Sequence, residues 1–332
     1  MKSTEMNKLS NKNILITGGA GFIGSNLVDY FMENGNVVVV LDNLLTGKIE
    51  NIQHHIGNEN FTFIEGDIRN FETCIKAVTG IEYVFHQAAL GSVPRSIENP
   101  LTTNEINISG FLNMLTAARD ANVNRFIYAA SSSTYGDSLD LPKIEENIGK
   151  PLSPYAITKV VNEMYADVFS NLYDMKIIGL RYFNIFGKRQ DPNGAYAAVI
   201  PLFIKLLLEG KSPILNGDGS ITRDFTYIKN VLHINELAAL TTNKDAFNQV
   251  YNVALGANID LNTLVDLLKE NLAKFDKKIL KIEPKYGPKR LGDIQDSLAS
   301  IDKAKRLLGY NPKYDVRTGL KEAIDWYLKN LT

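Results

Sequence analysis

The sequence predicts an α/β fold in which a doubly wound parallel sheet is followed by a smaller, mostly helical C-terminal lobe. Through residues 1–182, short apolar runs alternate with longer helical patterns, which is typical of a parallel sheet covered by helices on both faces. Beyond residue 183 helical patterns dominate, apart from one apolar run at Gln249 to Ala254. We therefore assign residues 1–182 plus about 225–258 to a sheet domain, and residues 183–224 plus 259–332 to the lobe.

The composition restricts the class of protein. The 332-residue chain is 45% hydrophobic and 22% charged, which is typical of a soluble globular protein, and its net charge of −1 indicates no nucleic-acid or membrane surface. Cys74 is the only cysteine, so no intrachain disulfide can form and a reducing compartment is expected. The N-terminus is polar, and no apolar run approaches the ~20 residues of a membrane span. We expect a cytoplasmic protein whose partners include neither nucleic acid nor a membrane.

The first two predicted strands enclose a glycine-rich turn. The run from Asn13 to Thr17 ends in Gly18-x-x-Gly21-x-x-Gly24, and a helical pattern from Ser25 to Asn34 follows. Gly18 and Gly21 permit a tight turn and close backbone approach, Gly24 lets the helix pack on the sheet, and the helix N-terminus suits a pyrophosphate. The alternative is a glycine-rich turn without a ligand.

An acidic residue closes the second predicted strand. Val37 to Leu41 is followed by Asp42 and Asn43. Asp42 would accept hydrogen bonds from the adenosine ribose hydroxyls and repel a 2′-phosphate, so NAD is favoured over NADP. Strand, glycine turn, helix, strand and acid together predict an NAD site.

The next two predicted strands end in residues that suit the same edge. Phe61 to Glu65 precedes Asp67, which could hold the adenine amino group or cap the helix that begins near Phe71. Glu82 to Gln87 precedes Ala88 and Ala89, whose small side chains suit a backbone lying against the cofactor. His86 is expected to be a packed strand residue. The four histidines show no metal-ligand spacing with acids or cysteine, and no metal site is predicted.

A serine cluster follows the fifth predicted strand. Asn104 to Ala121 is predicted as a long helix with Asn107 near its start, and the strand Arg125 to Ala130 then leads into Ser131–Ser133. Hydroxyls at the carboxyl end of a parallel strand point toward the ligand crevice. A serine-rich turn is the alternative interpretation.

Tyr155 and Lys159 form the candidate acid–base pair. Pro154 suits the first turn of a helix that runs to about Tyr173, so two side chains four residues apart share one face. An ammonium near a phenol favours the phenolate and lowers its pKa from ~10, which suits general acid–base chemistry. An ordinary amphipathic helix is the alternative. The sixth predicted strand is Lys176 to Arg181.

These motifs resemble one family over nearly the whole chain. The glycine turn, Asp42, Tyr155-x-x-x-Lys159 and the Arg-Tyr-Phe-Asn segment that ends at Asn184 are similar to the extended short-chain dehydrogenase/reductases. Two further segments, Gly217 to Phe225 and Arg290 to Asp293, resemble the UDP-hexose 4-epimerase family. The segment that begins at His86 is most similar to bacterial UDP-N-acetylglucosamine 4-epimerases of surface-polysaccharide synthesis.

The resemblance implies a Rossmann domain, a lobe that binds a UDP-sugar, and a role for each matching residue. Tyr155 would exchange the proton of the sugar 4-hydroxyl, while Lys159 would hold the nicotinamide ribose and depress the pKa of Tyr155. Ser132 is the favoured partner of the 4-oxygen, with Ser131 and Ser133 as competitors. The implied NAD contacts are Gly18, Gly21, Phe22, Ile23, Gly24, Asp42, Asn43, Asp67, Ile68, Gln87, Ala88, Ala89, Asn107, Tyr155, Lys159 and Tyr182. The implied UDP-sugar contacts are Ser92, Ser131, Ser132, Tyr155, Asn184, Val199, Arg223, Arg290, Asp293 and Ser297.

The implied reaction is NAD-dependent interconversion of UDP-GlcNAc and UDP-GalNAc through a transient 4-keto sugar. Ser297 stands where the family's plain-hexose enzymes carry a tyrosine, and a serine there leaves room for an acetamido group. A 4,6-dehydratase needs a carboxylate pair after the serine or threonine, which Ser132 to Thr134 does not offer. UDP-glucose, UDP-galactose and UDP-uronic acid conversion remain alternatives, as does an NAD-binding sensor, although a sensor would be expected to lose the Tyr/Lys pair.

The family also commonly forms homodimers through the helices that begin near Asn104 and Tyr155. Both helices carry apolar positions on more than one face, and burial within one subunit is the alternative explanation. The positions concerned are Phe111, Leu112, Leu115, Val160, Val161 and Met164.

Overall fold

A seven-stranded parallel sheet forms the centre of the molecule. The computed structural model describes residues 8–193, 197–288 and 295–331. The strands in these ranges are β1 (Asn13–Thr17), β2 (Val37–Asp42), β3 (Phe61–Glu65), β4 (Tyr83–His86), β5 (Arg125–Ser131), β6 (Ile177–Tyr182), β7 (Ile185–Phe186), β8 (Ile214–Asn216), β9 (Thr222–Arg223), β10 (Thr226–Tyr227), β11 (Gln249–Val253), β12 (Ile259–Asp260) and β13 (Lys285–Gly287). Strands β1 to β6 and β11 form the sheet, and the other six pair in three short ribbons.

The strand order of the sheet is β11-β6-β5-β4-β1-β2-β3, and every neighbouring pair is parallel. The chain runs outward from β1 to β3 and then returns to place β4 on the other side of β1. The order therefore reverses between β1 and β4, and such a switch point opens a crevice at the carboxyl ends of the strands. The predicted doubly wound sheet, including its seventh strand, is confirmed.

Helices cover both faces of the sheet and dominate the C-terminal region. They are α1 (Phe22–Glu33), α2 (Phe71–Val78), α3 (Val93–Glu98), α4 (Pro100–Asn104), α5 (Gly110–Asp120), α6 (Pro154–Tyr173), α7 (Val199–Leu208), α8 (Ile228–Leu240), α9 (Leu261–Leu272), α10 (Asp302–Leu308) and α11 (Val316–Leu331). Within the described ranges, no helix combines the length and apolar content that crossing a bilayer requires.

Alternation along the central strands creates two separate cores. Ile14 and Ile16 of β1 pack in the cluster that contains α1 and α8, whereas Leu15 packs in the cluster that contains α2, α5 and α6. Successive side chains of a strand point to opposite faces, so a continuous apolar run is what a strand covered on both faces requires.

Local sequence explains how α6 begins and ends. The Ser153 hydroxyl accepts a hydrogen bond from the Ala156 amide at 3.1 Å, and Pro154 occupies the first turn, where a missing N–H costs nothing. The helix ends before Asp174, which has a left-handed backbone with φ 53°. These boundaries place Tyr155 in the first turn, at the edge of the sheet.

The helix predicted from Asn104 to Ala121 is present but contains a π-helical turn at Glu105–Ser109. Phe111 and Leu115 are fully buried within the subunit, which corrects their proposed place at a dimer interface. Their side chains pack in the core beneath α5 because they face the sheet. Leu112, Val160 and Val161 are half-buried, and Met164 is exposed.

The structure brings His54 and His55 together with Asp29, a cluster that sequence spacing did not indicate. Both imidazole Nε2 atoms lie within 3.0 Å of Oδ1 of Asp29, which belongs to α1. Lys188 and Arg189 contact Oδ2 at 2.8 and 2.9 Å. Burial raises the pKa of Asp29, but the hydrogen bond from Lys188 and the charge of Arg189 outweigh it and lower that pKa to about 2. Two cations already neutralise this carboxylate, so the cluster is an ion-pair junction.

Candidate functional site

A cavity of about 380 Å³ lies at the carboxyl ends of the strands. We call it the sheet-edge cavity. Most of the predicted cofactor contacts line it, namely Gly18, Gly21, Phe22, Ile23, Gly24, Asp42, Asn43, Ile68, Gln87, Ala88, Ala89, Tyr155, Lys159 and Tyr182.

The glycine turn brings backbone against backbone at the mouth of α1. Gly18 has φ +68°, and a Cβ on Gly24 would lie 2.1 Å from the Gly18 carbonyl oxygen. Helix α1 begins after Gly21 without a side-chain cap, so its first amides are free of competing side-chain acceptors. Close approach, an uncapped helix and small residues are what a dinucleotide pyrophosphate requires, so these residues fit NAD.

Asp42 serves the turn as well as the cavity. Its carboxylate accepts hydrogen bonds from the amides of Ala20 and Leu44, both at 2.9 Å. Burial raises its pKa, and these two amides oppose that rise. Carboxylate oxygens carry further lone pairs, so Asp42 can hold the 42–44 turn and still accept from a ribose hydroxyl.

Asp67 does not line the sheet-edge cavity and does not cap α2. Arg69 donates to both of its oxygens, at 3.0 and 2.7 Å, and Asn43 donates at 2.7 Å. The hydrogen bond from Arg69 is the largest cause that lowers the pKa of Asp67 to about 2. The α2 cap is Asn70, which accepts from the Thr73 amide. Asp67 therefore orients Asn43, which does line the cavity.

Asn107 and Ser92 are occupied by local structure. The Asn107 amide exchanges hydrogen bonds with both backbone groups of Leu90 and donates to the Thr158 hydroxyl. It therefore ties the 88–91 segment to α6, and it does not itself line the sheet-edge cavity. Ser92, at φ 95°, caps α3 by accepting from the Arg95 amide.

Tyr155 and Lys159 meet at one end of the sheet-edge cavity. The Lys159 ammonium donates to the Ala129 carbonyl at 2.7 Å, and it lies 5.9 Å from the centre of the Tyr155 ring. Burial lowers the pKa of Lys159 to about 8, while the charge of Glu163 opposes that change. The predicted pairing of phenol and amine on one helix face is present.

The pKa of Tyr155 moves opposite to the expected direction in this structure. Burial raises it, and a hydrogen bond with Ser131 works against the rise. Lys159 does not lower it here, because its ammonium is directed to the Ala129 carbonyl. The phenol therefore needs additional positive charge in the cavity to ionise readily.

Of the three clustered serines, Ser131 is the one that faces Tyr155. Ser131 is the last residue of β5, and it lines the sheet-edge cavity. The favoured candidate, Ser132, begins a 3-10 turn and does not line that cavity. The Ser133 amide donates to the Ser131 hydroxyl at 3.1 Å. The strand ends at Ser131, so its side chain projects into the crevice while the next residues turn away.

Sequence reasoning missed two contributors to this site. Leu45, Thr46 and Gly47 line the sheet-edge cavity after β2, and the Thr-Gly pair just beyond Asp42 was the available signal. The fully buried Ser96 accepts a hydrogen bond from the Tyr155 amide at 3.1 Å and so fixes the start of α6. No short sequence motif predicts this hydrogen bond, because Ser96 and Tyr155 are far apart in the chain.

A second cavity of about 410 Å³ is lined partly by α7, and we call it the α7 cavity. Three predicted UDP-sugar contacts line it, namely Asn184, Val199 and Arg223. Arg223 donates to the Thr222 carbonyl at 2.8 Å, and the Asn184 amide donates to the Asp224 carbonyl at 3.0 Å. Apolar walls with one guanidinium and two side-chain amides, those of Asn184 and Asn216, suit a planar ring joined to an anion.

Ser297 lies beside this region. Its amide donates to the Thr222 carbonyl at 3.2 Å, which places it next to β9 and Arg223. The predicted contacts Arg290 and Asp293 lie outside the described residues.

The two cavities together suit oxidation and reduction of an alcohol on a nucleotide-linked substrate. A phenol with a neighbouring ammonium and hydroxyl can exchange a proton with an alcohol oxygen. The buried His86 takes no such part: its imidazole is 2.9 Å from the Thr17 hydroxyl, and burial, aided by the charge of Lys159, lowers its pKa to about 3.

Comparison with known proteins places this geometry among nucleotide-sugar enzymes. Residues 14–254 match the NAD dependent epimerase/dehydratase family. The chain is similar to a UDP-N-acetylglucosamine 4-epimerase from Methanobrevibacter ruminantium M1, solved in complex with UDP-N-acetylmuramic acid, at 38% identity and TM-score 0.89 over 97% of this chain and 99% of that one. A UDP-glucose 4-epimerase from Thermotoga maritima, solved with UDP-glucose, is 38% identical with TM-score 0.87 over 96% and 100%. A UDP-glucuronic acid 4-epimerase from Bacillus cereus, solved with its substrate and NAD, is 30% identical with TM-score 0.85 over 96% and 99%.

Proposed function

Since the chain belongs to the NAD dependent epimerase/dehydratase family and is a UDP-sugar 4-epimerase of the NAD-dependent type, we propose that it interconverts UDP-GlcNAc and UDP-GalNAc. The observation that carries the chemistry is the meeting of Tyr155, Ser131 and Lys159 at the end of the sheet-edge cavity. Bound NAD supplies reversible hydride transfer at C4 of the sugar.

The chain's own residues handle the proton and the orientation. The Tyr155 oxygen takes the proton of the 4-hydroxyl as C4 becomes a ketone, and it returns that proton after the sugar has presented its other face. Ser131 contacts Tyr155 and is placed to hold the 4-oxygen by hydrogen bonding. Lys159 is proposed to favour the ionised phenol once its ammonium turns from the Ala129 carbonyl toward the Tyr155 oxygen in the loaded site.

The nucleotide end of the substrate is assigned to the α7 cavity. Asn184 and Arg223 are placed to bind the diphosphate, and Val199 to contact the base, with Arg290 and Asp293 as further proposed contacts. Arg223 can approach a phosphate with a forked pair of donors, which gives both affinity and direction. All residues that line the sheet-edge cavity belong to the proposed sheet domain, and all that line the α7 cavity except Phe225 belong to the proposed lobe.

The choice of N-acetylated sugars is supported by Ser297. A serine beside β9 leaves space that a tyrosine would fill, and an acetamido group needs that space. A matched group of this size contributes about 1–3 kcal/mol to discrimination. We therefore expect UDP-GlcNAc and UDP-GalNAc to be preferred over UDP-glucose and UDP-galactose.

Direct incubation tests the proposed reaction. Purified protein is given UDP-GlcNAc, UDP-glucose and UDP-glucuronic acid separately, and the epimers are separated by chromatography. We expect UDP-GalNAc to form with the highest kcat/KM and no net NADH to accumulate. A higher kcat/KM for UDP-glucose or UDP-glucuronic acid would replace the proposed substrate, and steady NADH release would indicate a dehydrogenase.

Replacement of Ser297 tests the specificity more sharply. Ser297→Tyr should abolish conversion of the N-acetylated pair by steric exclusion and spare conversion of the plain hexoses. Ser300→Tyr is a matched control, because Ser300 lies three residues farther along the same segment and its carbonyl accepts a hydrogen bond from Asn252, which does not line the α7 cavity. Unchanged turnover of UDP-GlcNAc by Ser297→Tyr would remove the main support for this substrate.

A homodimer is proposed from the outer faces of α4 and α6. Three large apolar side chains on these helices are exposed to solvent: Leu101 at 77%, Met164 at 62% and Leu172 at 70%. A group of exposed apolar side chains is typical of a surface that contacts another protein. Light scattering should show a dimer that Met164→Asp disrupts, and Leu139→Asp, at another exposed leucine, should leave it intact. A monomeric wild-type protein would contradict this proposal.

A further inference from the structure

Helix α6 carries one titratable side chain every four residues, at Tyr155, Lys159, Glu163 and Asp167. Residues four apart lie on the same helix face with Cβ atoms ~5–6 Å apart. The first two line the sheet-edge cavity, and Glu163 follows one turn farther along. The acid is thus the next charged neighbour of the buried ammonium along the helix.

Glu163 is held rigidly by the sheet beneath it. Arg181 of β6 donates from Nε and Nη2 to the two carboxylate oxygens of Glu163 at 2.9 and 2.8 Å, and the side chains of Arg181 and Glu163 are only 4% and 12% exposed. Arg181 is itself fixed, since it donates to the Glu145 carbonyl at 2.9 Å and lies 4.9 Å from the centre of the Tyr135 ring. A forked pair of this kind has one productive geometry, so it sets how α6 is rotated over β6.

We propose that Glu163, held by Arg181, is a positioning residue for the Tyr155–Lys159 pair. Its carboxylate fixes the rotation of α6 at the sheet-edge cavity and supplies the negative charge that keeps Lys159 an ammonium. The consequence for turnover rests on the proposed 4-epimerase function, whereas the effect on the two side chains does not.

The surroundings of Lys159 show why that charge matters. Lys159 is buried, and burial lowers its pKa to about 8, so a modest further decrease would leave it neutral at physiological pH. The groups that face this region from the packed elements are His86 of β4, Tyr128 of β5, Arg181 and Tyr182 of β6, Glu145 and Glu146 of the loop before α6, Lys303 of α10, and Tyr155 and Asp167 of α6 itself. Of the charges acting on Lys159, that of Glu163 opposes the effect of burial.

Glu163→Gln removes the charge and leaves the shape. It also leaves the Arg181 guanidinium without its carboxylate partner, so the positive charge of Arg181 next to α6 is no longer balanced and further disfavours the charged form of Lys159. If the pKa of Lys159 falls by about one unit, the ammonium fraction decreases roughly fivefold near pH 8 and less than twofold near pH 6. We expect the ratio of variant to wild-type kcat to fall in the same way as pH rises.

Two variants separate charge from fold. Asp167→Asn is the matched control, because it removes the same charge one turn farther along the same stripe, and it should leave the pH profile unchanged. Glu163→Asp keeps the charge but shortens the reach to Arg181, so it should lower kcat while retaining the wild-type pH profile. A ratio for Glu163→Gln that is flat with pH, or a shifted profile in either Asp167→Asn or Glu163→Asp, would overturn the proposal.

A titration without substrate keeps the inference independent of the reaction. The side-chain nitrogen resonance of Lys159, assigned by its absence from the same protein carrying Lys159→Met, reports ionisation of Lys159 in an NMR titration. We expect the midpoint of Lys159 to fall in Glu163→Gln and to remain that of the wild type in Asp167→Asn, because only the charge of Glu163 opposes the effect of burial on Lys159, and an unchanged midpoint in Glu163→Gln would contradict the proposal. A wild-type protein that converts no UDP-sugar would refute the proposed function while leaving this titration informative.

Discussion

The sheet-edge cavity and the α7 cavity are constructed differently. Residues that line the first follow directly on parallel strands whose positions are fixed by a continuous hydrogen-bond ladder. The second is assembled from α7, the short strands β8 and β9, and the start of α9, with Asn184 at its edge in a left-handed conformation at φ 38°. A regular sheet suits a cofactor shared by many enzymes, and irregular segments suit a substrate that differs among them.

The largest expected effect on kcat comes from Tyr155, whose phenol is proposed to contact both the cofactor site and the sugar. Tyr155→Phe keeps the ring and removes the proton-transfer group, so kcat should fall by ~10²–10⁴-fold. UDP-sugar affinity, measured by calorimetry, should change little because the α7 cavity is untouched. Near-wild-type turnover would show that Tyr155 is not the acid–base group.

A substitution in the glycine turn should affect only the cofactor side. Gly24→Ala places a Cβ about 2.1 Å from a backbone oxygen, so the turn must shift and NAD content should fall ~100-fold or more at limiting cofactor. Gly287→Ala is the control, since its Cβ would meet Ile214 at an ordinary 3.5 Å. Full retention of NAD by Gly24→Ala would contradict the assigned pyrophosphate position.

A substitution in the α7 cavity should weaken binding of the UDP-sugar and leave binding of NAD unchanged. Arg223→Ala removes a charged donor proposed to face the diphosphate, which corresponds to ~1.5–3 kcal/mol, or about 10–100-fold in KM. NAD content and the pH profile should remain those of the wild type. Loss of NAD with an unchanged KM would move Arg223 to the cofactor side.

The smallest expected effect on activity is at the ion-pair junction, where Asp29 of α1 contacts Lys188 and Arg189 just after β7. Asp29 has a folded pKa of about 2, below the ~3.9 of an unfolded aspartate, so its stabilisation is present above about pH 4 and is lost as pH falls toward 2. Asp29→Asn should reduce the free energy of unfolding by about 2 kcal/mol near pH 7 while kcat stays within about twofold. The free energies of unfolding of the two proteins, measured with denaturant, should converge only as pH approaches about 2. A constant difference across pH would show that the charge is not responsible.

The same contrast explains what sequence could predict. The sheet strands could be predicted because a strand that is buried on both faces must be a continuous apolar run. The glycine turn and Asp42 could then be placed at the edge of the sheet, because each directly follows or closes such a run. Ser131 was not separated from Ser132, since one residue of difference in where β5 ends decides which hydroxyl faces Tyr155. The hydrogen bonds that join Asp67 to Asn43 and Asn107 to Leu90 link distant parts of the chain, so a local sequence pattern does not reveal them.

The most direct test of the account follows the hydrogen at C4 of the sugar. UDP-GlcNAc carrying deuterium at C4 is incubated with the protein in ordinary water, and the UDP-GalNAc formed is analysed by mass spectrometry and NMR. Oxidation and reduction at C4 within one closed site predict that the product keeps the deuterium at C4, while Tyr155 exchanges only the hydroxyl proton. Deuterium lost to solvent would show that C4 is inverted by proton abstraction, and it would contradict the proposed roles of both cavities.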